Sequence, residues 1–395
     1  MKRRLSACNC FTIREIRNYK LGLKSHKPDY ILIGAAAAIV VFGLIMLWSA
    51  SMVKSQEIGQ PYYYLKHQAL NLLLLGLPVA LLASITNYKF WKKISFPLFI
   101  GSIIMLILVF LPHLGFTAGG ATRWLALGPL SIQPSEIAKL AIIVYLASLF
   151  DNRFTITAKR FENRKEMDDK QSFVTFIVSV GIIAGLVVLQ PNISTTGIIC
   201  LTAAIIYFVS GAPAWQMGTL ILMGASGLFA FMSIFSHAAK RFQIFLHPEM
   251  DPKGIGYQIN QALLAIGSGG FFGRGLGQSL QKFNFLPEAM GDSIFAITAE
   301  ELGFAGSIIL IAIFLLFAIR GFKIARDAPD NLSKLLATGI TSWIILQAFI
   351  NIAAISGLMP LTGVPLPFIS YGSSNLIVSL AAVGILVNIS KYSTR

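Results

Sequence analysis

Apolar residues fall into long uninterrupted runs along this chain, and short polar segments separate each run from the next. About 20 apolar residues in a helix cross the hydrocarbon core of a bilayer, and shorter runs complete a span with flanking polar residues or by tilting. The pattern therefore predicts about ten transmembrane helices. The runs are 30–52, 68–85, 94–111, 135–150, 173–189, 195–209, 215–235, 294–319, 335–357 and 366–389.

Composition supports the same fold class. Of 395 residues, 55% are hydrophobic and 12% are charged, and the mean hydropathy is +0.71. That is more apolar surface than a soluble core of this length needs. The sequence predicts an all-α polytopic membrane protein. The ten-helix bundle, residues 29–390, is its single functional domain.

The positive charge of +15 is distributed unevenly between alternate loops. If the N-terminus lies inside, 23 of the 32 Lys and Arg residues fall in inner segments and eight in outer loops. This asymmetry follows the positive-inside rule. It predicts a multi-pass protein of the inner (cytoplasmic) membrane, with a basic cytoplasmic tail at 1–28 and a short cytoplasmic C-terminus at 391–395. It argues against nucleic acid as the partner of the basic residues.

The basic tail has no apolar centre, so we expect the first span to be retained as an anchor rather than cleaved as a signal peptide. Residues 11–24, FTIREIRNYKLGLK, can form a basic amphipathic helix on the inner membrane surface. A solvated disordered tail explains the same composition equally well.

A long extracytoplasmic loop, residues 236–291, separates the seventh and eighth predicted spans. Loops of that length in compact proteins are usually functional or disordered. Ile259, Leu263 and Ile266 recur at helical spacing within 257–270, which predicts a short helix on or in the outer membrane surface. The glycines of 267–279, GSGGFFGRGLGQS, lack the strand and spacing of a nucleotide loop. They allow the backbone to approach another helix or a ligand closely, and close packing is the favoured interpretation. Arg274 beside them is either a phosphate ligand or part of that packing.

Ionisable groups inside a bilayer are costly unless paired or hydrated, so each is a candidate functional residue. Glu136 and Lys139 stand three residues apart near a helix start, where they can pair. The pair can be a buried ion pair that orients helices, or it can line a cavity that accepts an anionic head group. Gln347 and Asn351, on one face of the ninth span, are expected to bond neighbouring helices.

Four acids, Glu288, Asp292, Glu300 and Glu301, lie in the stretch FLPEAMGDSIFAITAEELG at the start of the eighth span. Glu300 and Glu301 fall on other faces of the helix than Asp292 and are expected to be hydrogen-bonded within the bundle. Asp292 can be a helix N-cap. A partly desolvated carboxylate there also has the raised pKa that a general base needs.

At these residues the chain resembles the FtsW, RodA and SpoVE (SEDS) family of bacterial cell-wall proteins. The resemblance rests on PEAMGDSIFAITAEELGFAG, GGATRWLALGPLSIQPSEIAK, LQPNISTTG, GYQINQALLAIGSGGFFGRGLGQSLQKFNFLPEA and MPLTGVPLPFISYGSS. It implies a peptidoglycan glycosyltransferase that polymerises lipid II on the outer face of the membrane, with a class B penicillin-binding protein and other division proteins as partners. QSLQKFNFLPEA is most similar to the FtsW division branch.

The resemblance also implies site residues. Asp292 matches the family's essential acid, which either accepts the proton of the attacking sugar hydroxyl or binds a divalent cation, Mg²⁺ or Mn²⁺. Cationic groups are needed for the diphosphate. The candidate substrate-binding residues are Arg123, Glu136, Lys139, Arg274, Glu288, Ser370 and Ser373. Ser370 and Ser373 can bind sugar or pyrophosphate, or can hydrogen-bond neighbouring helices.

Several positions depart from the family pattern. Relatives commonly have His or Asn, then Thr, before the acid and Phe after it, where this chain has Met290, Gly291 and Ser293. Asn192 replaces a common Asp, and Ser373 stands where a second Gly is usual. These changes make one side of Asp292 less polar but keep the acid.

Two other functions fit the same bundle. A flippase would move a lipid-linked sugar between leaflets and would need charges that open to each side in turn. A non-catalytic division scaffold would recruit a penicillin-binding protein and would not need Asp292. The long loop and the acid both lie on the predicted outer side, which favours chemistry there.

Overall fold

A computed structural model describes residues 26–393, except 113, 119–120, 128–129, 152–161, 235 and 252–253. The predicted amphipathic segment 11–24 lies outside the described residues. Within them, ten long helices follow the predicted runs in order, and two shorter helices lie in the long loop. The helices are α1 (Tyr30–Glu57), α2 (Tyr63–Ile85), α3 (Lys89–Leu108), α4 (Pro134–Asp151), α5 (Glu162–Leu189), α6 (Ile193–Val209), α7 (Ala214–Ile234), α8 (Ser236–Leu246), α9 (Ile255–Ser268), α10 (Ile294–Arg326), α11 (Asn331–Ile355) and α12 (Ser373–Ser390).

Seven of the described helices are long and apolar enough to cross a membrane by length and composition alone. They are α1, α2, α3, α5, α10, α11 and α12. Helices α4, α11 and α12 form the centre of the bundle, because most of their residues are buried by neighbouring helices. The polytopic, almost entirely helical fold predicted from the sequence is confirmed.

Polar bonds join both chain ends at one end of the bundle, which we call the tail end. The Asp29 amide donates to Ser390 Oγ at 3.0 Å, and Arg320 Nε donates to Asp29 Oδ2 at 3.0 Å. Tyr88 Oη donates to Asp330 Oδ2 at 2.7 Å in the same region. The opposite end carries α8, α9 and the acid-rich stretch, and we call it the loop end.

A small antiparallel sheet lies between α3 and α4 and was not predicted. Its strands are β1 (Gly115–Ala118), β2 (Ala121–Leu127) and β3 (Leu130–Ile132), in the order β1-β2-β3. Short strands with glycine-rich turns give no long apolar run, so a search for spans passes over them. The sheet places Arg123, on β2, at the loop end.

The last predicted span, 366–389, was too long at its start. Helix α12 begins at Ser373, and residues 366–372 form turns. Pro365 and Pro367 lack backbone N–H groups and restrict φ, which disfavours helix there. Ser370 therefore lies in a turn, and Ser373 is the first residue of α12.

The glycine-rich segment after α9 packs into a break in α10. Gly303 has φ 68° and ψ −165°, which interrupts the helix. A Cβ at Gly273 would lie 2.1 Å from the Glu301 carbonyl oxygen, so only glycine fits. The Phe304 amide donates to the Gly270 carbonyl at 3.0 Å, and the Arg274 amide to the Glu300 carbonyl at 3.0 Å. The close backbone packing predicted for these glycines is confirmed.

Candidate active site

Asp292 lies on a tight turn immediately before α10. The N-cap of α10 is Ser293, so the interpretation of Asp292 as a helix cap was wrong. The amides of Gly291 and Ser293 both donate to the Glu288 carbonyl, at 2.9 and 3.2 Å. Glu288 has φ 51°, a left-handed conformation that costs about 1 kcal/mol or more for a residue with a Cβ. The turn fixes the direction of Asp292 before the helix begins.

Neighbouring elements hold this turn by its backbone. Asn351 Nδ2 on α11 donates to the Asp292 carbonyl at 2.8 Å and to the Val364 carbonyl at 2.7 Å. Ser370 Oγ donates to the Gly291 carbonyl at 2.7 Å. Asn351 was predicted to bond neighbouring helices; it bonds instead the turn before α10 and the loop after α11. Ser370 supports the turn of the acid, and its predicted contact with substrate stays a prediction.

Asp292 as a residue is half-buried, while its Oδ1 atom is inaccessible to solvent and has no hydrogen-bond partner among the described residues. Burial, reinforced by the charge of Glu288, raises its pKa from 3.8 to about 6. Arg241 and Gln258 act in the opposite direction by favouring the charged carboxylate. A carboxylate that is ionised near neutral pH, yet more basic than an ordinary Asp, is suited to accept a proton.

Two of the residues that depart from the family pattern, Gly291 and Ser293, have local contacts near Asp292. A Cβ at Gly291 would lie 3.0 Å from Glu288 Oε2, so the absence of a side chain lets the Glu288 carboxylate fold over the turn. Ser293 Oγ accepts a hydrogen bond of 3.1 Å from Gln258 Nε2 on α9. Glu288 and Gln258, the partners of these two positions, both act on the charge of Asp292.

Two arginines lie on the same side of the site. Arg123 Nε donates to the Gln190 carbonyl at 3.0 Å, and its terminal nitrogen donates to the Pro191 carbonyl. Burial lowers the pKa of Arg123, and the charge of Arg241 lowers it further. Arg241, on α8, donates to the Leu361 carbonyl at 3.3 Å. Sequence reasoning missed Arg241, because it was one of five basic residues in the long loop with no distinguishing motif.

Arg274 lies elsewhere, at the break in α10. Its Nε is 3.8 Å from Glu300 Oε1 and 3.5 Å from the Ser268 carbonyl oxygen. The pairing with a buried acid connects Arg274 to the packing of the glycine-rich segment. Its role in substrate binding stays a prediction.

Glu300 and Glu301 are hydrogen-bonded within the protein, as predicted. Glu300 accepts bonds from Ser279 Oγ and from the Leu280 amide. Glu301 accepts a bond from Ser49 Oγ on α1 and pairs with Lys282 Nζ at 3.1 Å. Lys282 is almost completely buried and was not recognised from the sequence as a partner.

Glu136 and Lys139 form a buried ion pair of 2.7 Å on α4. Asn375 Nδ2 on α12 donates to Glu136 Oε2 at 2.9 Å, and Lys139 Nζ donates to Gln347 Oε1 on α11 at 2.7 Å. Gln347 Nε2 donates in turn to the Pro365 carbonyl at 2.9 Å. The pair joins three central helices, which is the orienting role that the sequence allowed. Its contact with a head group stays a prediction.

Ser373 accepts a hydrogen bond of 2.6 Å from Asn71 Nδ2 on α2. This bond joins α2 and α12, and the predicted contact of Ser373 with substrate stays a prediction. The described residues contain no cluster of three or more His, Cys, Asp or Glu side chains that could hold a metal ion. Asp292 and Glu288 would supply two carboxylates to Mg²⁺ or Mn²⁺, and waters and substrate phosphates would complete the coordination.

The family model described as "Cell cycle protein", FTSW_RODA_SPOVE, matches residues 29–395. The chain is 38% identical to the stage V sporulation protein E of Bacillus subtilis, over 94% of this chain and 99% of that protein. It is 35% identical to the probable peptidoglycan glycosyltransferase FtsW of Geobacter metallireducens, over 94% and 97% of the two chains.

Solved structures give the same result. A chain from a structure titled "Structural coordination of polymerization and crosslinking by a peptidoglycan synthase complex" is similar with a TM-score of 0.73 and 26% identity, over 92% of this chain and 97% of that one. The rod shape determining protein RodA of Thermus thermophilus is similar with a TM-score of 0.67 and 27% identity, over 93% and 98%. The sequence, the helical bundle and these matches agree, and the chain belongs to the FtsW, RodA and SpoVE family.

Proposed function

We propose that this protein is a peptidoglycan glycosyltransferase that polymerises lipid II into glycan strands during cell division. Family membership and relatives named peptidoglycan glycosyltransferase support the activity. The observation that carries the proposal is the Asp292 carboxylate. It is half-buried, one oxygen lacks a protein partner among the described residues, and its pKa is raised to about 6.

In the proposed reaction a sugar hydroxyl attacks the anomeric carbon of a lipid-linked sugar. A bond forms between that oxygen and the anomeric carbon, and the bond from the anomeric carbon to the diphosphate oxygen breaks. Asp292 accepts the hydroxyl proton, and the lipid diphosphate leaves with the electron pair. A positioned general base of this kind contributes about 10²–10⁴-fold to a rate.

A divalent cation is the alternative role for Asp292. Asp292 and Glu288 would hold Mg²⁺ or Mn²⁺ together with substrate phosphates, and the cation would neutralise charge on the diphosphate. Rates measured over a range of pH at fixed cation concentration separate the two roles. A rate that follows cation concentration and shows no titrating group near pH 6 would refute the general base.

The orientation in the cell is part of the proposal. The positive-inside asymmetry supports a cytoplasmic tail end and places Asp292 on the outer face of the cytoplasmic membrane. Single cysteines at the partly exposed positions Lys54 and Lys391, tested with a membrane-impermeant thiol reagent in intact cells, check this. The parent cysteines must first be replaced by serine. We expect labelling at position 54 and none at 391; the reverse would contradict the orientation.

The structural neighbour from a peptidoglycan synthase complex supports a class B penicillin-binding protein as partner. Division proteins are the further partners that similarity to FtsW supports. Lipid II and the surrounding bilayer complete the assembly.

Polymerisation of labelled lipid II by the purified protein tests the function, alone and with a class B penicillin-binding protein. We expect glycan ladders with the parent and none with Asp292→Ala. Translocation of labelled lipid II across liposomes without ladders would favour the flippase instead. Equal support of division in cells by parent and Asp292→Ala would favour the scaffold.

A further inference from the structure

No acidic side chain pairs with Arg123 or Arg241 among the described residues, in contrast to Lys240, Arg274 and Lys282 of the long loop. Arg123 and Arg241 are each half-buried and donate only to backbone carbonyl oxygens. Arg274 and Lys282, by contrast, each have a glutamate partner. The charge of Arg241 lowers the pKa of Arg123, so the two guanidinium groups are close enough to repel each other. An anion between them would remove that repulsion.

Backbone turns fix the two arginines relative to each other. Arg123 bonds the turn between α5 and α6 through the Gln190 and Pro191 carbonyls. Arg241 bonds the Leu361 carbonyl in the loop after α11. Ser194 Oγ, at the start of α6, donates to the Thr362 carbonyl at 2.8 Å and so joins the two turns. The two arginines therefore lie on one continuous surface, formed by the turn at 190–194 and the loop at 361–363, which we call the arginine wall.

The same wall leads to Asp292. Gly363 follows the residues that Arg241 and Ser194 bond, and a Cβ at Gly363 would lie 3.8 Å from Asp292 Oδ2. The charge of Arg241 also favours the ionised form of Asp292, so Arg241 is the arginine that acts on the acid. Glu288 approaches the acid from its own turn, since its Oε2 folds over Gly291.

We propose that Arg123 and Arg241 form a binding site for a lipid-linked diphosphate, the leaving group of the transfer. This inference rests on the proposed function and deepens it. Guanidinium groups bind phosphoryl oxygens through paired N–H donors, and two arginines match the two phosphoryl groups of a diphosphate. Phe242, which follows Arg241 on α8, and Leu246, one turn further on the same face as Phe242, are 46% and 56% exposed and offer apolar contact to the lipid chain.

The site assigns the two sugars to different sides of Asp292. The sugar whose anomeric carbon reacts carries the diphosphate, so this donor lies on the arginine side of Asp292. The sugar that supplies the attacking hydroxyl then approaches Asp292 from another side. An anion is unfavourable near Glu288, which makes the arginine wall the better place for the diphosphate.

Binding of farnesyl diphosphate to the full-length protein in lipid nanodiscs tests the site without requiring catalysis. We expect Arg241→Gln and Arg123→Gln each to weaken binding about 10- to 100-fold, because each removes charge-assisted hydrogen bonds. Arg241→Lys keeps the charge but loses the paired donors, so we expect an intermediate loss. Lys240→Gln is the matched control, since Lys240 is adjacent on α8, exposed, and 3.7 Å from Asp251; its binding should equal that of the parent.

Equal binding by the parent and both glutamine variants would overturn the inference, as would an equal loss in Lys240→Gln. Inorganic diphosphate that binds as tightly as the farnesyl compound would overturn the lipid-linked part. Thermal unfolding confirms that each variant is folded, and Arg241→Lys still tests the site if a glutamine variant is not.

Asp292→Asn should retain farnesyl diphosphate binding and lose polymerisation. Continued polymerisation by that variant would count against the proposed function, whereas the arginine variants test this site alone.

Discussion

Asp292 and the pair Glu300 and Glu301 lie within ten residues of one another, yet the protein surrounds them in opposite ways. Glu300 and Glu301 are almost fully buried and accept bonds from hydroxyl groups, backbone amides and, for Glu301, the Lys282 ammonium. Asp292 is half-buried, and no cationic side chain pairs with it among the described residues. One oxygen of Asp292 and one of Glu301 lack a hydrogen-bond partner in the described part of the chain, so the Lys282 ammonium is what separates the two environments.

The comparison shows that burial alone does not mark a reactive acid. A buried carboxylate that is paired and hydrogen-bonded is stabilised in its charged form and holds elements together. One that is desolvated without a cationic partner becomes more basic, as a proton acceptor requires. The two glutamates attach the glycine-rich segment to α10, while Asp292 faces the arginine wall.

The largest expected effect is on catalysis. Asp292→Asn removes the proton acceptor while keeping the size of the side chain, so we expect glycan synthesis to fall about 10²–10⁴-fold. The measurement is the rate of lipid II polymerisation by purified protein. Glu300→Gln is the control and should retain much more activity per folded molecule. A similar loss in both variants would mean that the two acids do not differ as described.

Glu301→Gln should act on stability instead. It leaves the Lys282 ammonium buried without its acid, and breaking a buried pair in this way costs about 3–5 kcal/mol. Thermal unfolding in detergent should show a clearly lower midpoint than the parent. Adding Lys282→Met removes the unpaired charge and should recover part of the loss. No recovery in the double variant would argue that the pair is not the source of the effect.

The raised pKa of Asp292 predicts opposite trends for activity and stability. As pH falls through about 6, the base is protonated, so kcat/KM should fall about tenfold per pH unit well below it. Because the folded-state pKa is above the ordinary 3.8, ionisation destabilises the folded protein as pH rises between the two values. Asp292→Asn should therefore be more stable than the parent at pH 8, by ~3 kcal/mol at most.

That stability difference should shrink as pH is lowered and vanish below about pH 4, where the parent carboxyl is protonated in both states. Unfolding midpoints of both proteins between pH 4 and pH 8 provide the measurement, with the pH range set by the pKa values above. A constant difference across the range would contradict the raised pKa.

The smallest expected effect comes from Gly291→Thr. A Cβ at this position would displace the flexible Glu288 carboxylate, which lies 3.0 Å away, and so weaken its repulsion of the Asp292 charge. We expect the acidic limb of the pH–rate profile to move to lower pH by a few tenths of a unit to about one unit. Glu288→Gln should move it in the same direction, whereas Gln258→Leu, which removes a donor, should move it to higher pH. If Glu288→Gln and Gln258→Leu moved the acidic limb of the pH–rate profile in the same direction, these assignments would be contradicted.

The sequence by itself determined the helical bundle and its family, because long apolar runs have few solutions in a membrane. It also identified Asp292, since an acid at the start of a span must be explained. It could not determine that Asp292 would have no cationic partner among the described residues while Glu301 would pair with Lys282. Nor could it bring Arg241 beside Arg123, because those contacts join residues on different helices and loops. Only the packing of the bundle decides which charges meet, and it is the neighbours of a charge that set its pKa and its chemistry.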